Sequence, residues 1–208
     1  MENVHNALVA LFKKAEDSGA LPGRRQREQL GMVAGFAAAA YATGDSPVRR
    51  FTNEPYVLHP IGVASILLDH KSPSSAELAV ALLHDVIEDT RFTRDDLAGL
   101  FGGAIADGVQ AVSNGPYPDG ANRKDRKLID REKLASAGRE AQDLKLADGL
   151  HNIPSICEHD RDFAAVYMSE KGLMLAAIID SRISEPHSKL VIAFDRMLAD
   201  LTVQLEKG

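Results

Sequence analysis

The chain has 208 residues, 45 % of them apolar and 26 % charged, which suits one globular domain with a sizeable core. Its net charge of −6 excludes a protein whose main work is gripping nucleic acid or an anionic membrane, since both need a positive field. The single cysteine, Cys157, allows no internal disulfide, and no apolar run approaches the roughly 18–20 residues that span a bilayer.

The opening MENVHNALVALFKK lacks the basic start and small-residue cleavage site of a signal peptide, so the chain is read as cytoplasmic. Val4, Leu8, Leu11, Phe12 and Ala15 recur at helical spacing, and Ser18-Gly19 stops that helix. A second helix is predicted over 27–42, with small Ala37 to Ala40 suited to close packing, and Thr43 to Pro47 breaks it. A third runs from Pro60 to His70, proline being harmless in a first turn. Ser74 or Ser75 caps a fourth helix that carries Leu78, Ala81, Leu82, Val86 and Ile87 without interruption. Thr93 to Asp96 resembles a capping box and opens a short helix ending at Phe101-Gly102-Gly103; another follows to Val112. The stretch 113–122, with two glycines and two prolines, is the clearest loop. Helices over 123–133, 139–157, 162–180 and 187–206 complete the pattern. No stretch alternates with strand period, and no linker separates two domains. The reading is all-α: one helical bundle, a single domain over 1–208.

Three segments place ionisable residues in or beside apolar helical patterns, where they are costly unless paired or bound to a metal. They are Glu54-Pro55-Tyr56-Val57-Leu58-His59-Pro60, Leu83-His84-Asp85-Val86-Ile87-Glu88-Asp89-Thr90 and Lys145-Leu146-Ala147-Asp148-Gly149-Leu150-His151-Asn152. His84 and Asp85 follow an apolar run. On a continuous helix they diverge by about 100°, so both reach one ion only at the edge of the buried face. Glu88 and Asp89 then sit one turn beyond His84 and Asp85. Imidazole with carboxylates suits Mn²⁺, Fe²⁺, Zn²⁺ or Co²⁺, and the absence of cysteine ligands argues against a structural zinc site. Alone, the His-Asp pair reads sooner as a solvated helix end; the neighbouring Glu88-Asp89-Thr90 makes the two readings even, and the other two segments tip the balance.

His59, then His84-Asp85, then Asp148 resemble the H…HD…D pattern of HD-domain phosphohydrolases. The chain is most similar to the hydrolase domain of the RelA/SpoT family and its small stand-alone alarmone hydrolases, which include the metazoan SpoT homologue. The family's R-x-(S/T)-G-E-P-Y-x-x-H-P is matched by Arg50 to Pro60. Its L-L-H-D-(V/T)-(I/V)-E-D-T is matched by Leu82 to Thr90, and its K-L-A-D-(R/K)-L-H-N by Lys145 to Asn152, with Phe101-Gly102 matching an F-G. The resemblance covers roughly residues 30–180. It implies an all-helical HD fold holding one Mn²⁺ through His59, His84, Asp85 and Asp148. It also implies release of the 3′-pyrophosphate from a stringent-response alarmone such as ppGpp or pppApp. In that scheme Glu88 and Asp89 act on the attacking water, and Arg50, Thr52, Asn152 and Lys145 contact the nucleotide. No nucleic-acid or membrane partner is expected.

Arg123, Lys124, Arg126 and Lys127 read as a solvated charge run or as groups that close over a polyphosphate. Tyr56 reads as packing beside His59, and His5, His70, His159 and His187 as surface residues. The chain departs from the family at Tyr41, at Gly44 to Arg49, at Asn53 in place of a common glycine, and at Gly149 in place of a basic residue. These departures are read as bordering the base pocket. Two other functions fit the same residues: a phosphohydrolase acting on another nucleotide such as NADPH, or a non-catalytic nucleotide-binding module. A pure binder has no need of four ligands together with Glu88 and Asp89.

Overall fold

The computed structural model describes residues 2–182 and 188–207, and among them the secondary structure is helical apart from one isolated bridge between Val48 and Pro55. His187 lies outside the described residues, as does the first residue of the last predicted helix. The chain forms two compact units, Met1–Ser113 and Asn114–Gly208. No helix among the described residues is long and apolar enough to cross a membrane.

The first unit contains α1 (Glu2–Asp17), α2 (Arg24–Ala42), α3 (Leu58–His70), α4 (Ser75–Leu83), α5 (Val86–Asp89), α6 (Arg94–Phe101) and α7 (Gly103–Val112). Helix α4 packs on α2, α3 and α7, and its Leu78, Leu82 and Leu83 are fully buried. Burying each such leucine contributes about 1.5–3 kcal/mol. Small residues let the helices approach: Ala37 and Ala40 on α2 are buried, and a Cβ on Gly108 of α7 would collide with Val80. Two capping boxes set helix starts. Ser74 accepts from Glu77 N–H and Thr93 from Asp96 N–H, each returned by the carboxylate. Each such cap stabilises its helix by about 1 kcal/mol.

The uninterrupted fourth helix is corrected here. It ends at Leu83, and Asp85, with φ −99° and ψ 0°, opens the separate four-residue α5. The N–H groups of Glu88 and Asp89 both donate to the Asp85 carbonyl, at 3.1 and 2.8 Å. His84 and Asp85 both keep right-handed helical backbone angles at the break.

The second unit contains α8 (Arg123–Ser136), α9 (Arg139–His159), α10 (Arg161–Ser181) and α11 (Lys189–Lys207). Its core includes Leu144, Leu146, Ile153, Ile178 and Phe194. A buried polar knot ties its helix ends together. Arg182 donates to Gln142 Oε1 and Asp143 Oδ1, both at 2.7 Å, while Gln142 donates to the Leu134 carbonyl at 3.1 Å and to Ser181 Oγ at 3.0 Å. The predicted loop lies against α8, where the Tyr117 hydroxyl donates to the Asp130 carboxylate at 2.9 Å.

Two departures from the family pattern have structural causes, one of packing and one of backbone conformation. A Cβ on Gly149 would collide with the Phe194 ring, so the position is set by the approach of α11. Asn53 has φ 59°, a left-handed conformation that asparagine tolerates nearly as glycine does. It closes a turn in which Arg49 N–H donates to the Glu54 carbonyl at 2.9 Å.

Candidate metal centre

In the first unit, His59 stands in the first turn of α3 and is 2 % exposed; His84, just after α4, is 1 % exposed. His84 Nδ1 lies 2.8 Å from the Ala81 carbonyl oxygen. A carbonyl only accepts, so Nδ1 carries a proton and Nε2 is the ring atom turned toward Asp85. That Nε2 is 2.9 Å from Asp85 Oδ2, and His59 Nε2 is 3.6 Å from the same oxygen. Facing acceptors at such distances repel unless positive charge lies with them, as a proton or a metal ion. Metal bonds of about 2.1 Å separate neighbouring ligand atoms by roughly 3.0–3.4 Å, a range that the observed 2.9 and 3.6 Å bracket.

Asp85 has further support. The Tyr56 hydroxyl donates to its Oδ2 at 2.7 Å, and the Tyr56 ring meets His59 edge-on with centroids 5.8 Å apart. Tyr41 packs on Tyr56 at 5.2 Å and donates its own hydroxyl to the Leu82 carbonyl at 3.3 Å. Burial, then the charge of Asp85, pushes both phenols well above their ordinary range, so both remain donors. Asp89 is half-buried: burial first and the Asp85 charge second raise its carboxyl to about 6, against a lowering hydrogen bond from Tyr56. Glu88 is exposed, so the acidic pair occupies two different environments. A Cβ on Gly44 would strike the Asp89 carbonyl oxygen, which also accepts from Asp45 N–H at 3.0 Å. The departure at Gly44 therefore seats the loop against Asp89. Arg50 and Thr52 are exposed on the turn before α3, with the Arg50 guanidinium 5.0 Å over the Phe51 ring.

In the second unit, Asp148 of α9 is 7 % exposed. Asn152, one turn on, donates to its Oδ1 at 2.7 Å. Lys145 Nζ lies 3.4 Å and Lys171 Nζ 4.0 Å from its Oδ2. One carboxylate flanked by two ammonium groups and an amide leaves surplus positive charge, which suits an anionic group nearby. Arg123 is held by Glu170 through two hydrogen bonds of 2.7 and 2.8 Å and lies 5.0 Å over the Phe163 ring, whereas Lys124 is exposed. Arg126 sits 5.8 Å over the Tyr117 ring and Lys127 3.5 Å from Asp130. His151 and His70 are half-buried, and His5 and His159 exposed.

Sequence reasoning missed the Tyr56–Asp85 bond and the place of Lys171. The first had a signal, since Tyr56 precedes His59 by three residues and its carbonyl accepts from His59 N–H at 2.8 Å. Lys171 had none: it reaches Asp148 only because α10 packs on α9.

A helical chain that presents histidine and aspartate donors from the ends of short helices falls in the class of all-α metal-site proteins. The chain belongs to the HD domain family, which matches residues 34–173. Among curated proteins it is 37 % identical over 100 residues to the zebrafish guanosine-3′,5′-bis(diphosphate) 3′-pyrophosphohydrolase MESH1, covering 48 % of this chain and 54 % of that protein. It is 38 % identical over 112 residues to the bifunctional (p)ppGpp synthase/hydrolase SpoT of Escherichia coli K12, covering 51 % of this chain and 16 % of that one. The chain thus spans about half the length of the former and a sixth of the latter. Its fold is shared with a solved metazoan ortholog of SpoT described as hydrolysing ppGpp, with TM-score 0.66 and 23 % identity over 83 % of this chain and 94 % of that one.

Proposed function

We propose that this chain is a Mn²⁺-dependent phosphohydrolase of the cytoplasm that removes the 3′-pyrophosphate from a purine alarmone such as ppGpp or pppApp. The ion's ligands are His59, His84, Asp85 and Asp148. The observation that carries it is the convergence of His59 Nε2 and His84 Nε2 on Asp85 Oδ2. The burial of His59, His84 and Asp148 adds support, because buried imidazole and carboxylate groups suit a metal ion. So do the names of the relatives.

Bound metal lowers the pKa of its water and offsets charge on the attacked phosphorus. Asp89, beside Asp85 and raised toward neutral pH, and Glu88, in solvent, orient the water and take its proton. The P–O3′ bond breaks, leaving a 3′-hydroxyl and free pyrophosphate. Lys145 and Asn152 hold the phosphate end beside Asp148. Arg50 offers a planar face to the base, with Thr52 beside it. Lys124 stands ready for the outer phosphates, and Arg123 joins only by leaving Glu170.

The test is a substrate panel on the purified Mn²⁺-loaded protein, with ppGpp, pppApp and NADPH in parallel. Release of pyrophosphate from either alarmone, suppressed by chelation, is the expected result. Dephosphorylation of NADPH alone would reject the alarmone assignment and leave only the phosphohydrolase class.

A further inference from the structure

Tyr56 is more than packing. Its ring fills space beside Tyr41 and His59, a task phenylalanine performs equally well. Its hydroxyl does something else: it donates at 2.7 Å to Asp85 Oδ2, the oxygen toward which both histidine Nε2 atoms point. We propose that Tyr56 is a positioning residue, whose hydroxyl fixes the rotation of the Asp85 carboxylate as a metal ligand. This rests on the metal reading above.

The geometry explains how the hydroxyl reaches Asp85. Asp85 opens α5 and Asp89 closes it, with Asp89 N–H bonded to the Asp85 carbonyl at 2.8 Å. Tyr56 enters from the turn before α3, pinned by its own N–H to the Pro47 carbonyl at 2.9 Å and by its carbonyl to His59 N–H. A hydrogen bond to Oδ2 withdraws some charge from a ligand and so opposes metal binding. A carboxylate free to rotate about Cβ–Cγ opposes it more, because ligand atoms must be held within about 0.5 Å of their productive positions. Hydrogen bonds to ligating carboxylates typically change metal affinity by about 10–100-fold.

The experiment measures Mn²⁺ affinity by calorimetry for wild type, Tyr56→Phe and Tyr41→Phe, with circular dichroism to confirm that each metal-free variant is folded. Tyr41→Phe is the matched control: it loses the neighbouring hydroxyl, which bonds a backbone carbonyl instead of a ligand. The expected result is binding weakened about 10–100-fold in Tyr56→Phe and within about twofold of wild type in Tyr41→Phe. At saturating Mn²⁺, Tyr56→Phe should lower kcat and leave KM unchanged. Wild-type affinity in Tyr56→Phe overturns the inference, and so does equal weakening in the two variants, which would mean general loosening of the aromatic pair. A wild-type protein that binds no Mn²⁺ removes the metal reading, and the inference with it.

Discussion

The two parts of the proposed donor set are built in opposite ways. In the first unit the donors sit in turns and at the ends of helices, although Tyr56 and Asp85 meet from 29 residues apart in the chain. His84 is oriented by a carbonyl three residues back, Asp85 sits at a helix break, and Tyr56 reaches it with a neutral hydroxyl. In the second unit Asp148 lies inside a 21-residue helix, and its surroundings depend on distant chain: Lys171 comes from α10, and Gly149 accommodates Phe194 of α11. A site half built from turns is damaged by changes close to the ligands. One half built from helix packing is damaged by changes far from them.

The largest effect expected from that contrast lies in the buried knot of the second unit. Arg182→Met leaves the Asp143 carboxylate, 4 % exposed, without its guanidinium. Removing one member of a buried ion pair costs about 3–5 kcal/mol. Denaturant unfolding should show a loss of that size; a loss below about 1 kcal/mol would mean that the second unit does not depend on the knot.

Next is Glu88→Gln in the first unit, an exposed change that should leave stability and Mn²⁺ binding intact. Turnover should fall by about two orders of magnitude, the usual contribution of general acid–base catalysis. Near-normal turnover would assign the whole role to the half-buried Asp89.

The smallest effect is a pH slope. In the metal-free protein the Asp89 carboxyl titrates near 6, against an ordinary 3.8. Between those values the folded state binds more protons than the unfolded one. This group's contribution to stability therefore falls as pH rises through that window and is flat above it. Asp89→Asn should gain stability relative to wild type at about pH 7 and lose that gain at about pH 4. A difference independent of pH would contradict the burial of Asp89.

The sequence carried most of the architecture, because helix periodicity and capping are local. Thr93 caps with Asp96 as their spacing implied, Ser74 is the one of the two expected serines that caps α4, and the helices follow in the expected order. The break at Asp85 was not legible. Val86 and Ile87 continue the apolar pattern, and nothing in residue type marks a bridge-region conformation. The approach of Lys171 to Asp148 and the cause of Gly149 were illegible for another reason, since both arise from packing between helices. The turn around Asn53 stands between these cases: asparagine in place of glycine signals a left-handed residue once that exchange is read as backbone chemistry.

The central claim is the proposed ligand set of one ion, His59, His84, Asp85 and Asp148. Mn²⁺ titration of the wild-type protein beside His84→Ala and Asp148→Ala tests it most directly. The account predicts one ion per wild-type chain and loss of binding in both variants while each remains helical. Wild-type affinity in Asp148→Ala, with binding lost only in His84→Ala, would show that the first unit holds the metal alone and would contradict the claim.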